Sequence, residues 1–432
     1  MKNRNIAIIG NSPAAQILVI LLQEKGRQIY RISSVEDEKK YMPFYANDLD
    51  LGILGRVCEK TGLDIHSLED KERKIRIGFQ EGKSLDCHSS MEGFRDKLEK
   101  AYPDEHQGLA VLFADIEGIG EEWASFIKND FHSKGVSMKK SAKYATTTVK
   151  DYLKRIKIGT SDISKILYAM LPIGDVTFPV FSGYISTQFF DNHHLKENPW
   201  KEIARRANRI SEKISVEDIK KVSVALGESP STEPAILAQA DSVIDLRFFP
   251  IKGGMDGENM HKVIWGGRLH TDGLDEERIY YLTAGEDVSL RLWTDLYGTQ
   301  SKKNHWNFEM LIREDQGQTE ESISKLLKGF LAREYGAKVR VEELFSPGYF
   351  ENAFDGQYGY GWAFNKKQVM SDPTNLYSPQ SEALVRRGFW GFAWFSAALN
   401  IYHLLTTQTA TEKKYIVKDV QRKENELDEI HV

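Results

Sequence analysis

The first thirty-four residues pass from an apolar run to a helical stretch and back to an apolar run. "NIAII", residues 5–9, is apolar at nearly every position, as a strand covered on both faces requires, and it ends at Gly10. Pro13 to Lys25 carries a helical pattern. Pro13 suits a first helical turn, where its missing N–H costs nothing, and Gly26 suits the stop. Residues 28–33 form a second strand. Strand, helix and strand joined by so short a crossover predict a parallel pair.

Beyond residues 33–41, a charged loop, residues 52–63 have a helical period. Residues 73–79 and 83–87 pattern as a hairpin around "QEGK". From Ser90 to about Lys134 the chain reads as helical, punctuated at "YPDEHQG", and helices follow near 147–158 and 161–171. "LPIGDVTFPVFSGYI", residues 171–185, is apolar with two prolines and two glycines, and either lines a pocket or bridges elements. Residues 199–214 pattern as an amphipathic helix with a solvated Lys/Arg face. "KVSVALGE" and "ADSVIDLRFFP" are strand candidates. Residues 262–312 alternate in strand fashion, 319–335 read as a helix, and 345–364 are rich in aromatics and glycine. The most hydrophobic segment, "FWGFAWFSAALNIYHLL" at 389–405, is broken by Ser396, Asn400 and His403 at helical spacing. It reads as a buried helix rather than a membrane anchor. The expected class is α/β with an α+β insertion: a βαβ start separated from its later partners by a long helical stretch, which favours two interleaved domains.

Composition narrows the function more than the fold. The chain has 432 residues, 41% hydrophobic and 28% charged, as in a folded protein of about two or three packed units. A formal net charge of −5 gives nucleic acid no basic face, so no nucleic-acid partner is expected. Cys58 and Cys87 are the only cysteines, which excludes a disulfide framework or a cysteine zinc site and fits a cytoplasmic protein. The apolar run Ile6–Ile9 leads into a turn and helix, not a secretory cleavage site. His193-His194 lacks accompanying ligands, so no metal is expected, and "GTSDI" lacks the second glycine of a nucleophile elbow.

Several segments, in order, resemble the phytoene desaturase-like branch of the flavin amine oxidase superfamily. They are residues 5–33, "DLDLGILGRVCEKTGL", "LEKAYPDEHQGLAVLFADIEGIGEEW", "QADSVIDL" and "DPTNLYSPQSEALVRRGFWGFAWFSAALNIYHLL". The resemblance implies a Rossmann-like FAD-binding domain assembled from 1–60, 199–245 and 365–407. It implies an interleaved substrate domain of mixed sheet and helices from 61–198 and 246–364, followed by a polar tail at 408–432. Such proteins oxidise, desaturate or isomerise apolar or amine substrates, often without a fixed catalytic side chain, because the flavin carries the chemistry.

The resemblance also names site residues. The fingerprint G-x-G-x-x-G falls on Gly10, Ser12 and Ala15, with Asn11 and Ala14 between. Its first glycine permits a tight turn, its second lets backbone approach a pyrophosphate, and its third lets helix and strand pack. Ala15 is a small replacement, whereas Ser12 places a Cβ where pyrophosphate approaches, and Asn11 and Ser12 can cap the helix themselves. The family's ribose-binding acid falls on Ser33, whose hydroxyl bonds more weakly than a carboxylate. Arg31 is set aside, on the expectation that alternation turns it away. The family's C-terminal Gly-Asp pair is replaced by "SPQSEALVRRG", where Arg386 and Arg387 offer charge to phosphates or form a solvated turn. Tyr349, Tyr358, Tyr360 and Trp362 belong to an aromatic run that packs a core or borders a substrate. The expected function is an FAD-dependent oxidoreductase or redox-neutral relative acting on an apolar small molecule. The rival is a non-catalytic descendant that has lost FAD and binds a lipid-like ligand or a partner protein. A pseudoenzyme subunit paired with an active paralogue is a third reading, and peripheral membrane contact stays open.

Overall fold

Strand β1 (Asn5–Ile9) is apolar because it is paired on both sides and covered on both faces: Ile6, Ala7, Ile8 and Ile9 are all buried. The computed structural model describes residues 5–10, 13–23, 28–34, 53–64, 74–80, 82–88, 90–129, 136–158, 161–170, 177–189, 199–216, 242–245, 262–283, 288–294, 304–313, 318–346, 359–360, 398–399 and 402. Within it β1 pairs in parallel with β2 (Gln28–Ser34) and with β6 (Ser242–Asp245), and β5 (Glu212–Val216) extends the sheet beyond β2. The strand order is β5-β2-β1-β6. Helix α1 (Pro13–Gln23) makes the crossover, and its buried Ile17, Leu18 and Leu21 share a core with Ile203 and Ala207 of α9 (Pro199–Ile210).

One element differs from the sequence reading here. The amphipathic period runs on to residue 214, yet the helix stops at Ile210. Ser211 closes the last turn, its N–H and hydroxyl both bonding Ala207 O at 3.0 and 2.9 Å. The chain then pairs with the edge of β2, Glu212 opposite Tyr30 and Ile214 opposite Ile32. An open parallel edge outweighs a helical period when β-branched Ile214 and Val216 follow.

The second sheet has the order β11 (Val339–Phe345), β7 (Lys262–Thr271), β10 (His305–Arg313), β9 (Val288–Thr294), β8 (Arg278–Thr283), β3 (Lys74–Gln80), β4 (Lys83–Cys87). The two-residue β12 (Gly359–Tyr360) also pairs with β7. All pairs are antiparallel except β3 with β8. The "QEGK" hairpin forms as expected, whereas β11 carried no sequence forecast. One face packs on α10 (Glu320–Tyr335), whose Ile323, Leu327, Phe330 and Leu331 meet Tyr280, Leu292, Phe308 and Met310. A Thr319/Ser322 capping box starts this helix, and Gly336 at φ 62° ends it.

The opposite face joins the main core with the helical stretch: α2 (Ile53–Thr61), α3 (Met91–Ala101), α4 (His106–Lys128), α5 (Lys139–Lys143), α6 (Val149–Arg155), α7 (Ser161–Met170) and α8 (Phe178–Tyr184). Residues 178–184, left open as pocket lining or bridge, form this last helix, and a π turn Ile185–Phe189 extends it. Pro179 lies in its first turn, where proline is tolerated. Gly183 is required by packing: a Cβ there would lie 2.3 Å from the Trp123 ring on α4. Among the described residues no helix is long and apolar enough to cross a membrane. Of segment 389–405 only 398–399 and 402 are described, and Ala398 and Leu399 are helical and buried.

An ion network ties the outer strands. Arg76 grips both oxygens of Asp86 across the hairpin at 2.6 and 2.6 Å, and Arg278 reaches Asp86 at 2.6 Å and Asp275 at 2.7 Å. The Arg76 hydrogen bond, opposed by burial and reinforced by Arg278, holds the Asp86 carboxyl down at about 2. A carboxyl lowered from 3.8 contributes stability that is full above its unfolded value and lost as pH falls toward the folded one. Urea midpoints measured from pH 5 down to pH 2 are therefore expected to fall more steeply for the parent than for Asp86→Asn. Parallel slopes would contradict a stabilising role for this carboxylate.

Candidate functional site

In an open parallel sheet, ligands sit beyond the carboxyl ends of the strands where the strand order reverses. Here β1, β2 and β5 step to one side and β6 returns on the other side of β1, so the reversal falls at β1. Gly10 follows β1 directly. Its φ of 124° suits glycine, and its N–H donates to Ile32 O at 2.9 Å, which fastens the turn to the end of β2. Ala15 is fully buried where α1 meets the sheet, so a methyl fits at the third fingerprint position. Ala14 lies in the first turn of α1.

Ser33 sits near the carboxyl end of β2 with 1% exposure, and its hydroxyl has no hydrogen-bond partner among the described residues. A buried hydroxyl left in that state costs about 1–3 kcal/mol, so its position asks for a ligand atom or a partner. Arg31 corrects an expectation. Residues two apart share a strand face, so Arg31 lies on the Ser33 side of β2. It is buried, and its guanidinium donates to Asn208 Oδ1 on α9, tying helix to strand beneath the site.

Gly10, Ala14, Ala15 and Ser33 are thus brought to one edge of the parallel sheet. Tyr360 is on β12, opposite Lys262 of the second sheet. Asn11, Ser12, Tyr349, Tyr358, Trp362, Arg386 and Arg387 lie outside the described residues.

A second cluster escaped the sequence reading. On the sheet face opposite α10, Tyr281, Arg291 and Glu309 stand in one row across β8, β9 and β10, each directly opposite the next. Glu309 is 0% exposed and Arg291 5%, with Arg291 Nη1 3.9 Å from Glu309 Oε2. The Arg291 guanidinium lies 5.8 Å from the Tyr281 ring, and Phe189 of the π turn packs on that ring at 4.9 Å. Burial pushes the phenols of Tyr281 and Tyr184 above their ordinary range. Ser289 Oγ, on the same face, is buried with no partner among the described residues. The strand alternation hid this row, because polar residues alternating with apolar ones normally face water. The available signal was opposite charge: Arg291 between Leu290 and Leu292, and Glu309 between Phe308 and Met310.

Other chemistry is absent from the described residues. No group of three or more His, Cys, Asp or Glu side chains is placed to hold a metal there. Burial pushes the thiols of Cys58 and Cys87 up to about 12, which makes both poor nucleophiles.

No family model matches the sequence, and no curated protein matches it. Solved structures are similar in outline. A putrescine oxidase bound to putrescine is 11% identical, with 94% of this chain and 99% of that chain covered at a TM-score of 0.49. A cyclohexylamine oxidase from Brevibacterium oxydans is 11% identical, with 94% and 100% covered at 0.47. A tryptophan C-6 flavin-dependent halogenase from taromycin biosynthesis is 11% identical, with 78% and 62% covered at 0.36. The chain thus spans less than two thirds of the halogenase. Likeness of this degree says nothing about activity, substrate or cofactor. The mixed α/β architecture with its parallel sheet stands on the strand pairings themselves.

The buried row makes a stability prediction. Removing one member of a buried charge pair strands the other and costs about 3–5 kcal/mol, whereas replacing both with apolar groups is near neutral. Arg291→Met alone is expected to lower urea stability by about that amount, and Arg291→Met with Glu309→Leu to recover most of it. Equal losses in both variants would contradict the pairing.

Proposed function

We propose that the carboxyl edge of the parallel sheet takes the adenosine end of FAD, and that the protein is an oxidoreductase-type flavoprotein, or a redox-neutral relative, acting on an apolar small molecule. The observation that carries this reading is the Ser33 hydroxyl: buried, unpartnered among the described residues, and set near the end of β2 beside the Gly10 turn. The residues present fit the group. Gly10 gives the turn its conformation, the N-terminal end of α1 puts the positive end of its dipole toward a pyrophosphate, and Ser33 offers a ribose hydroxyl both a donor and an acceptor. When bound, the flavin supplies hydride acceptance, so no protein nucleophile is required.

Under this reading the cofactor domain is built from 1–60, 199–245 and 365–407, and the substrate domain from 61–198 and 246–364. Tyr349, Tyr358, Tyr360 and Trp362 contact the substrate, Arg386 and Arg387 lie toward the phosphates, and the protein is cytoplasmic. Phytoene desaturase-like chemistry belongs to the same proposal.

A second reading is favoured by the same residue. Ser33 replaces a carboxylate and is only 1% exposed, so a scaffold that has given up its flavin would look alike here. Such a protein would carry a lipid-like ligand or hold a partner, an active paralogue included.

Absorbance of the purified protein and urea denaturation with excess FAD separate the two. FAD at about 100 times its Kd is expected to add about 2.7 kcal/mol of stability. Ser33→Ala is expected to weaken FAD binding about two- to tenfold while leaving the unliganded protein as stable or more so, because it removes a buried hydroxyl that has no partner among the described residues. No bound flavin and no stabilisation by FAD would overturn the flavoprotein reading in favour of the carrier. Unchanged affinity in Ser33→Ala would remove the ribose contact.

A further inference from the structure

The charge of this chain is unevenly spread. Between residues 139 and 157 lie seven lysines and arginines and one acid, Asp151, while the whole chain carries 63 acids against 58 such cations. This short segment is therefore +6 in a chain of −5, which leaves −11 for the remainder. Lys139, Lys140 and Lys143 are on α5, and all are exposed. Lys150, Lys154 and Arg155 are on α6, Lys157 follows it, and these four are exposed as well. Asp151 stands 3.9 Å from Lys154 in an exposed pair, too weak to neutralise the face.

The two short helices present one surface. Lys143 Nζ lies 4.6 Å and Arg155 Cζ 5.9 Å from the ring of the same buried tyrosine, Tyr144. Tyr144 meets Tyr152 edge-on at 5.3 Å, and both hydroxyls donate to Asp115 Oδ2 at 2.7 Å. Tyr152 in turn stacks on Phe178 of α8 at 3.5 Å. Lys143 and Arg155, one from each helix, are thus mounted on a shared aromatic base. Lys140 leans back over Gly118 of α4, and all seven cations are exposed.

We propose that this face docks on an anionic lipid surface. Six of its seven cations are lysines, which act as compact point charges and lack the bidentate fork that reads phosphate geometry. Its tyrosines are buried, so among the described residues it offers no exposed ring for a nucleic-acid base to stack on. Half-buried Val136 and Ile156 flank the cations, and lysine stems cover apolar surface while their heads stay in water. Clusters of this size suit the headgroup layer of anionic membranes. The acidic remainder is repelled by such a surface, which leaves this face as the one that approaches. The inference is independent of flavin, because docking is read on the full chain with or without FAD.

The test is co-sedimentation of the full chain with vesicles of phosphatidylcholine alone or mixed with phosphatidylserine. Binding is expected only to the mixed vesicles at low salt, with release as ionic strength rises. The combined variant Lys143→Gln, Lys150→Gln, Lys154→Gln and Lys157→Gln is expected to bind about a hundredfold more weakly or worse. Arginine at the same four positions is expected to bind as the parent does. No preference for phosphatidylserine at low salt overturns the proposal, as does full binding by the glutamine variant. Binding to a DNA duplex or an acidic protein without vesicle binding overturns it too.

Discussion

Everything at the candidate site depends on β1 being a strand with no free side. Parallel partners flank it, and its side chains from Ile6 to Ile9 are buried on both faces. A strand so enclosed can present only its end to a ligand. Gly10 is that end, and its N–H bond to Ile32 O brings the end of β2 beside it. Ser33 is thereby placed near the mouth of the sheet by pairing, with Arg31 and Asn208 holding α9 against the strand. The site is a consequence of topology before it is a matter of side-chain identity.

The second sheet works under a different constraint. Its α10 face is apolar and closes as an ordinary core. Its other face buries Arg291 and Glu309 in register, beneath α8 and the π turn. That arrangement demands close helix packing, which Gly183 permits by letting Trp123 approach where a Cβ would stand 2.3 Å away. Buried opposite charges fix the register of a strand strongly, since a one-residue slip of either strand would turn its charge toward the apolar side and leave the other behind. A cluster of exposed cations lies elsewhere, on and beside α5 and α6, with Lys143 and Arg155 over Tyr144. Ligand site and surface patch are therefore separate features of the chain.

The sequence made the parallel start legible because local signals and tertiary outcome agree there: an apolar run, a glycine, a proline-started helix and a second apolar run. The "QEGK" hairpin and the helix ending at Gly336 were legible for the same reason. Three features were hidden by context. β5 follows a helix whose period runs past its end, and only an open strand edge reveals it. α8 holds Pro179, which fits only because it falls in the first turn, and Gly183, which is unfavourable in a helix until Trp123 is placed against it. The Arg291–Glu309 row looks solvent-facing until the layer above it is known. Gly10, Ala15 and Ser33 are singled out by a motif, whereas the expectation that Arg31 turns away rests on an alternation that the register corrects.

The Gly10–Ser33 edge is the proposed meeting point of a dinucleotide with this chain. A crystal structure of the protein grown with saturating FAD tests it most directly. The account predicts the adenosine ribose within hydrogen-bond distance of Ser33 Oγ and the pyrophosphate over the start of α1. FAD bound elsewhere, or a Gly10–Ser33 edge that stays closed at saturation, would contradict it.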